Sequence, residues 1–119
     1  KTSDMVARFA ARMYSYPEKS AKKLEAIGRL TERGTEAIRV WDLPTLGSLM
    51  IENHRHLDWF GVSTPALNRA CAVAIGAGAL GAKMTGGGGG GCAVALVTLE
   101  HRESVMASAK AAGFTVIPT

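Results

Sequence analysis

Aromatic residues are scarce in this chain: three Phe, two Tyr and two Trp among 119 residues. Proteins that read single-stranded nucleic acid by stacking set aromatics among basic patches. Here the formal charge is only +4, and Lys and Arg alternate with Glu and Asp without forming a basic block, so no nucleic-acid partner is expected. Cysteine is nearly absent too. Cys71 and Cys92 stand apart in apolar surroundings without CxxC spacing, which argues against a disulfide framework or a cysteine metal site. They read as two buried free thiols, and the expected compartment is the reducing cytoplasm. No apolar run approaches the roughly 20 residues that cross a bilayer, so no membrane partner is expected. The N-terminus mixes charge with helical spacing and does not resemble a secretory signal. With 47% hydrophobic and 20% charged residues, the composition suits a single soluble domain over residues 1–119 with one core. The chain opens on Lys1, as a processed chain or the tail of a longer protein would.

Glycine is what the chain has in excess. Six of its 14 glycines are consecutive, Gly86 to Gly91, inside Gly81-Ala82-Lys83-Met84-Thr85-Gly86-Gly87-Gly88-Gly89-Gly90-Gly91-Cys92. A flexible linker is normally flanked by polar, low-complexity sequence. These flanks are apolar, Ala79 to Ala82 before the run and Cys92 to Val97 after it. Glycine lets backbone amides approach a ligand with no Cβ in the way, and successive N–H groups can form a nest for an anion. A strand–glycine loop–strand unit is therefore a candidate site, with a passive Gly-rich hairpin as the alternative.

Periodicity places helices ahead of this unit. Met5, Val6, Phe9, Ala10 and Met13 share a face of a helix over about 3–15, which Tyr16-Pro17 breaks. A second helix is expected from about Glu18 to Ile38 or Val40, with Leu24, Ile27, Leu30, Thr31 and Ile38 as its stripe and Lys22, Lys23, Arg29, Glu32 and Arg33 facing water. Its Gly28 and Gly34 cost helix propensity and are candidates for close helix packing. Asp42 suits the N-cap of a third helix with Pro44 in its first turn, carrying Leu46, Leu49, Met50, Asn53 and Leu57 on one face. Ser63 or Thr64 caps a fourth helix that opens at Pro65, carries Leu67, Ala70, Cys71 and Ala74, and stops near Gly76 or Gly78. After the two strands, Thr98 to Ala112 reads as a last helix ended by Gly113, and Phe114 to Ile117 as a last strand. Helices followed by β–β–α–β predict an α+β fold, a small antiparallel sheet packed on helices.

The side chains that carry chemistry are few. His54 and His56 point about 200° apart on a helix and cannot share a metal. His54 and Asp58, four apart, can pair on one face, although surface or capping roles explain both histidines. Ser63 has no evident His partner and reads as a cap, Cys71 as core. There is no Walker A pattern, because Lys83 precedes the glycines. These residues offer no catalytic base and no metal ligand set.

The run Gly81 to Cys92 with the strand Ala93 to Val97 resembles the third motif of the GHMP kinases, the superfamily of galactokinase, homoserine kinase, mevalonate kinase and phosphomevalonate kinase. Gly61-Val62-Ser63-Thr64-Pro65-Ala66-Leu67 with Asn53, the opening Lys1-Thr2-Ser3-Asp4-Met5-Val6-Ala7, and Tyr16-Pro17-Glu18 are most like the mevalonate kinase family. The glycine loop lacks the aromatic usual in galactokinases, and Gly87 stands where alanine is common. The Pro-x-x-x-Gly-Leu-x-Ser-Ser phosphate loop, the catalytic aspartate and its assisting lysine, all of the family's N-terminal domain, have no counterpart here.

The resemblance therefore implies the C-terminal domain of a GHMP kinase, its first strand lying ahead of Lys1, with no catalytic residue and no metal ligand of its own. It implies a whole enzyme that uses ATP and Mg²⁺, bound mainly by the N-terminal domain, to phosphorylate the 5-hydroxyl of mevalonate. The expected partners are that domain and mevalonate, with a homodimer left open. Thr2, Thr85, Gly86, Gly87, Gly88, Gly89, Gly90 and Gly91 are implied as support for substrate and phosphate, and Thr2 is equally well read as a helix cap. The other acceptors of the superfamily, and a freestanding anion-binding or regulatory α+β module, are the competing readings.

Overall fold

A computed structural model describes residues 2–85 and 91–119, with the backbone alone at Thr2. The chain runs α1 (Thr2–Ser15), α2 (Pro17–Arg39), α3 (Leu43–Trp59), α4 (Pro65–Gly76), β1 (Gly81–Thr85), β2 (Cys92–Leu96), a 3-10 turn (Leu99–His101) and α5 (Arg102–Ala111). The α+β class expected from sequence is therefore present, without the last strand of the expected β–β–α–β order. The caps expected for α3 and α4 are also found: the Asp42 side chain accepts from the Thr45 amide, and Thr64, not Ser63, accepts from the amide of Leu67.

Four of the helices end in the same way. After each C-cap, the next residue takes positive φ, and two amides reach back to carbonyls of the last turn, which satisfies helix-end carbonyls. Gly61, Gly78 and Gly113 hold that position after α3, α4 and α5. After α2 it is held by Trp41, at φ 58°, with Trp41 N donating to the Ile38 carbonyl at 3.1 Å and Asp42 N to the Ala37 carbonyl at 2.8 Å.

The α1 stripe is only partly as the spacing suggests. Met5 is buried and Phe9 stacks on the fully buried Phe60 at 4.7 Å between ring centroids, but Val6 and Met13 are exposed. The helix is turned so that Arg12 faces inward, its Nε donating to the Trp59 carbonyl at 2.9 Å. A cation there answers the unpaired carbonyls and negative end of α3, while its stem covers apolar surface. Lys23, expected in water, likewise lies over the Trp59 ring, 5.1 Å from its centroid. The α1–α2 corner is tied by the buried Ser20, whose hydroxyl donates to the Arg12 carbonyl.

β1 and β2 pair antiparallel with Gly81 opposite Leu96 and Thr85 opposite Cys92. Small side chains make the core beneath them: Cys71 and Ala74 of α4, Ala79, Ala82 and Val105, with Ala93, Ala95 and Val97 packed against them. Residues 114–119 form no strand. Phe114 is instead held by its amide to the Ala109 carbonyl and by Arg69 stacked on its ring. A strand exists only with a ladder partner, and among the described residues this segment has none.

The outer edge of β1 is covered by α3. At one end the backbones of Gly47 and Gly81 touch; at the other, the Met84 amide donates to His54 Nδ1 at 3.1 Å. Seven helical residues rise about 10.5 Å and three strand residues about 10 Å. The two spans match, so α3 lies along the strand where a further strand would otherwise pair, and blunts the edge. The close-packing glycines are thus Gly47 and Gly81. Gly28 and Gly34 are not in close packing: a Cβ on Gly28 would meet nothing within 4 Å, and one on Gly34 only Leu46 Cδ1 at 3.8 Å.

Candidate functional site

The root of the glycine loop is the described part of the site. Thr85 and Cys92 close the hairpin, and the Thr85 hydroxyl donates to the Cys92 carbonyl at 3.4 Å. Gly91, exposed at φ 46°, starts the return toward β2. The candidate residues Gly86, Gly87, Gly88, Gly89 and Gly90 lie outside the described residues, as does the side chain of Thr2, whose backbone opens α1. The hairpin thus pairs Thr85 with Cys92, the residue after Gly91. Cys92, expected buried, is exposed, because it sits at the loop end of β2 and beyond the cover of α4.

Lys83, two residues before Thr85, is half-buried and donates from Nζ to the Met84 carbonyl at 2.8 Å. Burial lowers its pKa from the ordinary lysine value, an effect that Cys71 partly offsets, while burial pushes the Cys71 thiol up. The pair sits beneath the root of the loop, and the Cys71 thiol is held in its neutral form.

Beside them lies a polar network that sequence reasoning found only in fragments. Met84 N–H donates to His54 Nδ1, and His54 Nε2 lies 2.7 Å from Asn68 Oδ1. An imidazole that accepts at Nδ1 carries its proton on Nε2, so Nε2–H donates to Asn68. The same Asn68 oxygen accepts from the Ser63 hydroxyl at 2.8 Å, and Asn68 Nδ2 donates to Asp58 Oδ1 at 3.0 Å. His54 and Asp58, spaced to pair directly, are therefore bridged by an amide from α4. Their four-residue spacing was the visible signal. Asn68 carried none, since its partners are brought to it by the turn at Gly61.

The other polar candidates have separate places. His56 faces α2, with Lys23 Nζ 3.4 Å from Nδ1 and Glu52 3.9 Å from Nε2. His101 packs its ring against Gly78. The Asn53 side-chain oxygen Oδ1 is buried with no hydrogen-bond partner among the described residues. No group of three His, Cys, Asp or Glu side chains able to hold a metal occurs among the described residues, and none of their helices is long and apolar enough to cross a membrane.

Comparison with known proteins bears on this geometry. A family model described as GHMP kinases C terminal matches residues 35–114. The chain is 40% identical over 121 aligned residues to a mevalonate kinase of Pyrococcus horikoshii, covering 98% of this chain and 36% of that protein. It is 42% identical over 67 residues to a galactokinase of Streptomyces coelicolor, covering 56% of this chain and 17% of that one. Among solved structures, mevalonate kinase of L. major in complex with R-mevalonate superposes with a TM-score of 0.84 at 29% identity, over 93% of this chain and 34% of that chain. The chain thus spans about a third of the length of these two mevalonate kinases.

Proposed function

The chain belongs to the GHMP kinases, matching the model of their C-terminal part, and from that membership we propose that it is the C-terminal domain of a mevalonate kinase. The whole enzyme transfers the γ-phosphoryl group of ATP to the 5-hydroxyl of mevalonate in the cytoplasm, and this domain supplies the wall of the cleft that holds the acceptor. The observation that carries the reading is the hairpin with Thr85 and Gly91 at the root of the glycine run, its strand braced along α3, in a chain 40% identical to the Pyrococcus horikoshii enzyme over 98% of its length.

Phosphoryl transfer relies on positioning and on neutralising charge. Thr85 and the glycines Gly86 to Gly91 offer a hydroxyl and successive amides with no side chains between them, which suits oxygen-rich ligands. Thr2 is proposed to face the same cleft from α1. The described residues include no carboxylate cluster that fits Mg²⁺, so no step is assigned to a metal held by this chain. ATP and the metal, which activate the transferred phosphoryl group, fall to the N-terminal domain as its partner.

The test is reconstitution. ADP release with ATP and mevalonate should stay at the blank with the 119-residue chain alone and appear when the chain is joined to an N-terminal GHMP domain. Turnover by the chain alone would overturn the reading, as would silence of the joined protein toward mevalonate.

A further inference from the structure

β1 presents its amides alternately to β2 and away from it. The Met84 amide points away, toward α3, and its residue is buried. Met84 is also the residue immediately before Thr85, where the strand hands over to the glycine run. Whatever holds that amide sets the direction in which the loop leaves the sheet.

Resting on the reading above, we propose that His54 is a positioning residue for the kinase: through the Met84 amide it fixes the root of the glycine loop. Both ring nitrogens of His54 are engaged, Nδ1 by Met84 N–H at 3.1 Å and Nε2 by Asn68 at 2.7 Å. Asn68 is held in turn by Ser63 and Asp58, so the ring cannot rotate without breaking its contacts to β1 and α4. The Cys71 thiol lies 4.0 Å from Nδ1; kept neutral by burial, it offers that nitrogen only a long, weak S–H donor and does not draw a proton onto it as a thiolate would. A surface histidine has no such restraint. This one couples three elements, α3, α4 and β1, to one backbone amide at the mouth of the loop.

A purely structural histidine and a positioning histidine separate on substitution. Asparagine places Oδ1 close to where Nδ1 stands, so His54→Asn keeps an acceptor for Met84, whereas His54→Leu has none. In the enzyme formed with the N-terminal domain, assayed well below the unfolding temperature of each variant, His54→Leu should lower kcat by roughly ten- to a hundredfold, the scale of a displacement of about 1 Å. Its KM for ATP should stay near wild type, and His54→Asn should recover most of kcat. Nitrogen-15 spectra of the wild-type imidazole near neutral pH should show Nδ1 bare and Nε2 protonated. Exchange of the Met84 amide should quicken in the Leu variant and not in the Asn variant. Wild-type kcat in His54→Leu, no recovery in His54→Asn, or a protonated Nδ1 would each overturn the inference. If His54→Leu does not fold, the comparison of Asn with wild type and the imidazole spectra decide it. If the wild-type enzyme phosphorylates no acceptor, the functional reading fails, and the spectra and amide exchange still decide whether His54 holds Met84.

Discussion

Gly47 of α3 and Gly81 of β1 lie backbone against backbone: a Cβ added to Gly81 would stand 2.6 Å from the Gly47 Cα, and one added to Gly47 would stand 2.9 Å from the Leu80 Cβ. No flexible side chain intervenes to give way, so α3 would have to lift from the strand. Gly47→Ala should therefore destabilise the protein by about 1–3 kcal/mol, the usual range for overpacking. Gly28→Ala is the matched control. It sits mid-helix with open space around it and should stabilise by roughly 0.5–1 kcal/mol. Urea unfolding midpoints of the two variants should move in opposite directions; movement in the same direction would refute the close approach.

Trp41 should prove a strained position. It takes the positive φ that glycine takes after the other three helices of this kind, and it is 74% exposed, so little packing offsets the cost. A left-handed residue with a Cβ costs roughly 1–2 kcal/mol. Trp41→Gly should raise stability by up to about 1 kcal/mol, after the entropy glycine loses on folding, as read from the denaturant midpoint. A lower midpoint would mean that the indole makes a contact worth more than the strain.

Acid should weaken the fold through His56. Burial first, then the charge of Lys23, lowers its pKa from the ordinary 6.5, with Glu52 partly opposing. The unfolded chain therefore takes up the proton first as pH falls. Stability from this group is intact above 6.5, declines as pH drops through that value toward the folded one, and then levels off. Denaturation midpoints followed across this window should fall on acidification, and His56→Gln should flatten the slope. An unchanged slope in the variant would assign the acid sensitivity elsewhere.

Much of this architecture was legible in the sequence, and the exceptions share a cause. Helix ends announce themselves locally: Asp42 and the Ser63-Thr64 pair as caps, Tyr16-Pro17 as a break, Pro44 and Pro65 in first turns, Gly61, Gly78 and Gly113 as stops. The glycine run between apolar flanks marked the hairpin for the same reason. What could not be read was tertiary. The spacing of Val6 and Met13 defined a helical face but not which way Phe60 and Trp59 would turn it. Gly28 and Gly47 look alike in sequence, and only the path of β1 makes one indispensable. Asn68 joined the site because a turn brought α4 against His54. Residues 114–117 have strand composition, yet no described ladder partner meets them.

The glycine run itself is open to a direct probe. In the whole enzyme, Gly89→Val should lower kcat on the order of 10²-fold, because a β-branched side chain narrows the backbone choices that a glycine run leaves open and enters the space proposed for phosphate or acceptor. Circular dichroism and melting should match wild type. Unchanged turnover in a folded variant would reduce the run to a passive hairpin.

The most direct test of the central proposal is the acceptor preference of the whole enzyme, measured as kcat/KM by coupled ADP release with mevalonate, phosphomevalonate, homoserine and galactose. Turnover of mevalonate and none of galactose is the expected result, in spite of the partial similarity to the Streptomyces coelicolor galactokinase. A higher kcat/KM for any of the other three acceptors would contradict it, leaving the chain a GHMP kinase domain but not that of a mevalonate kinase.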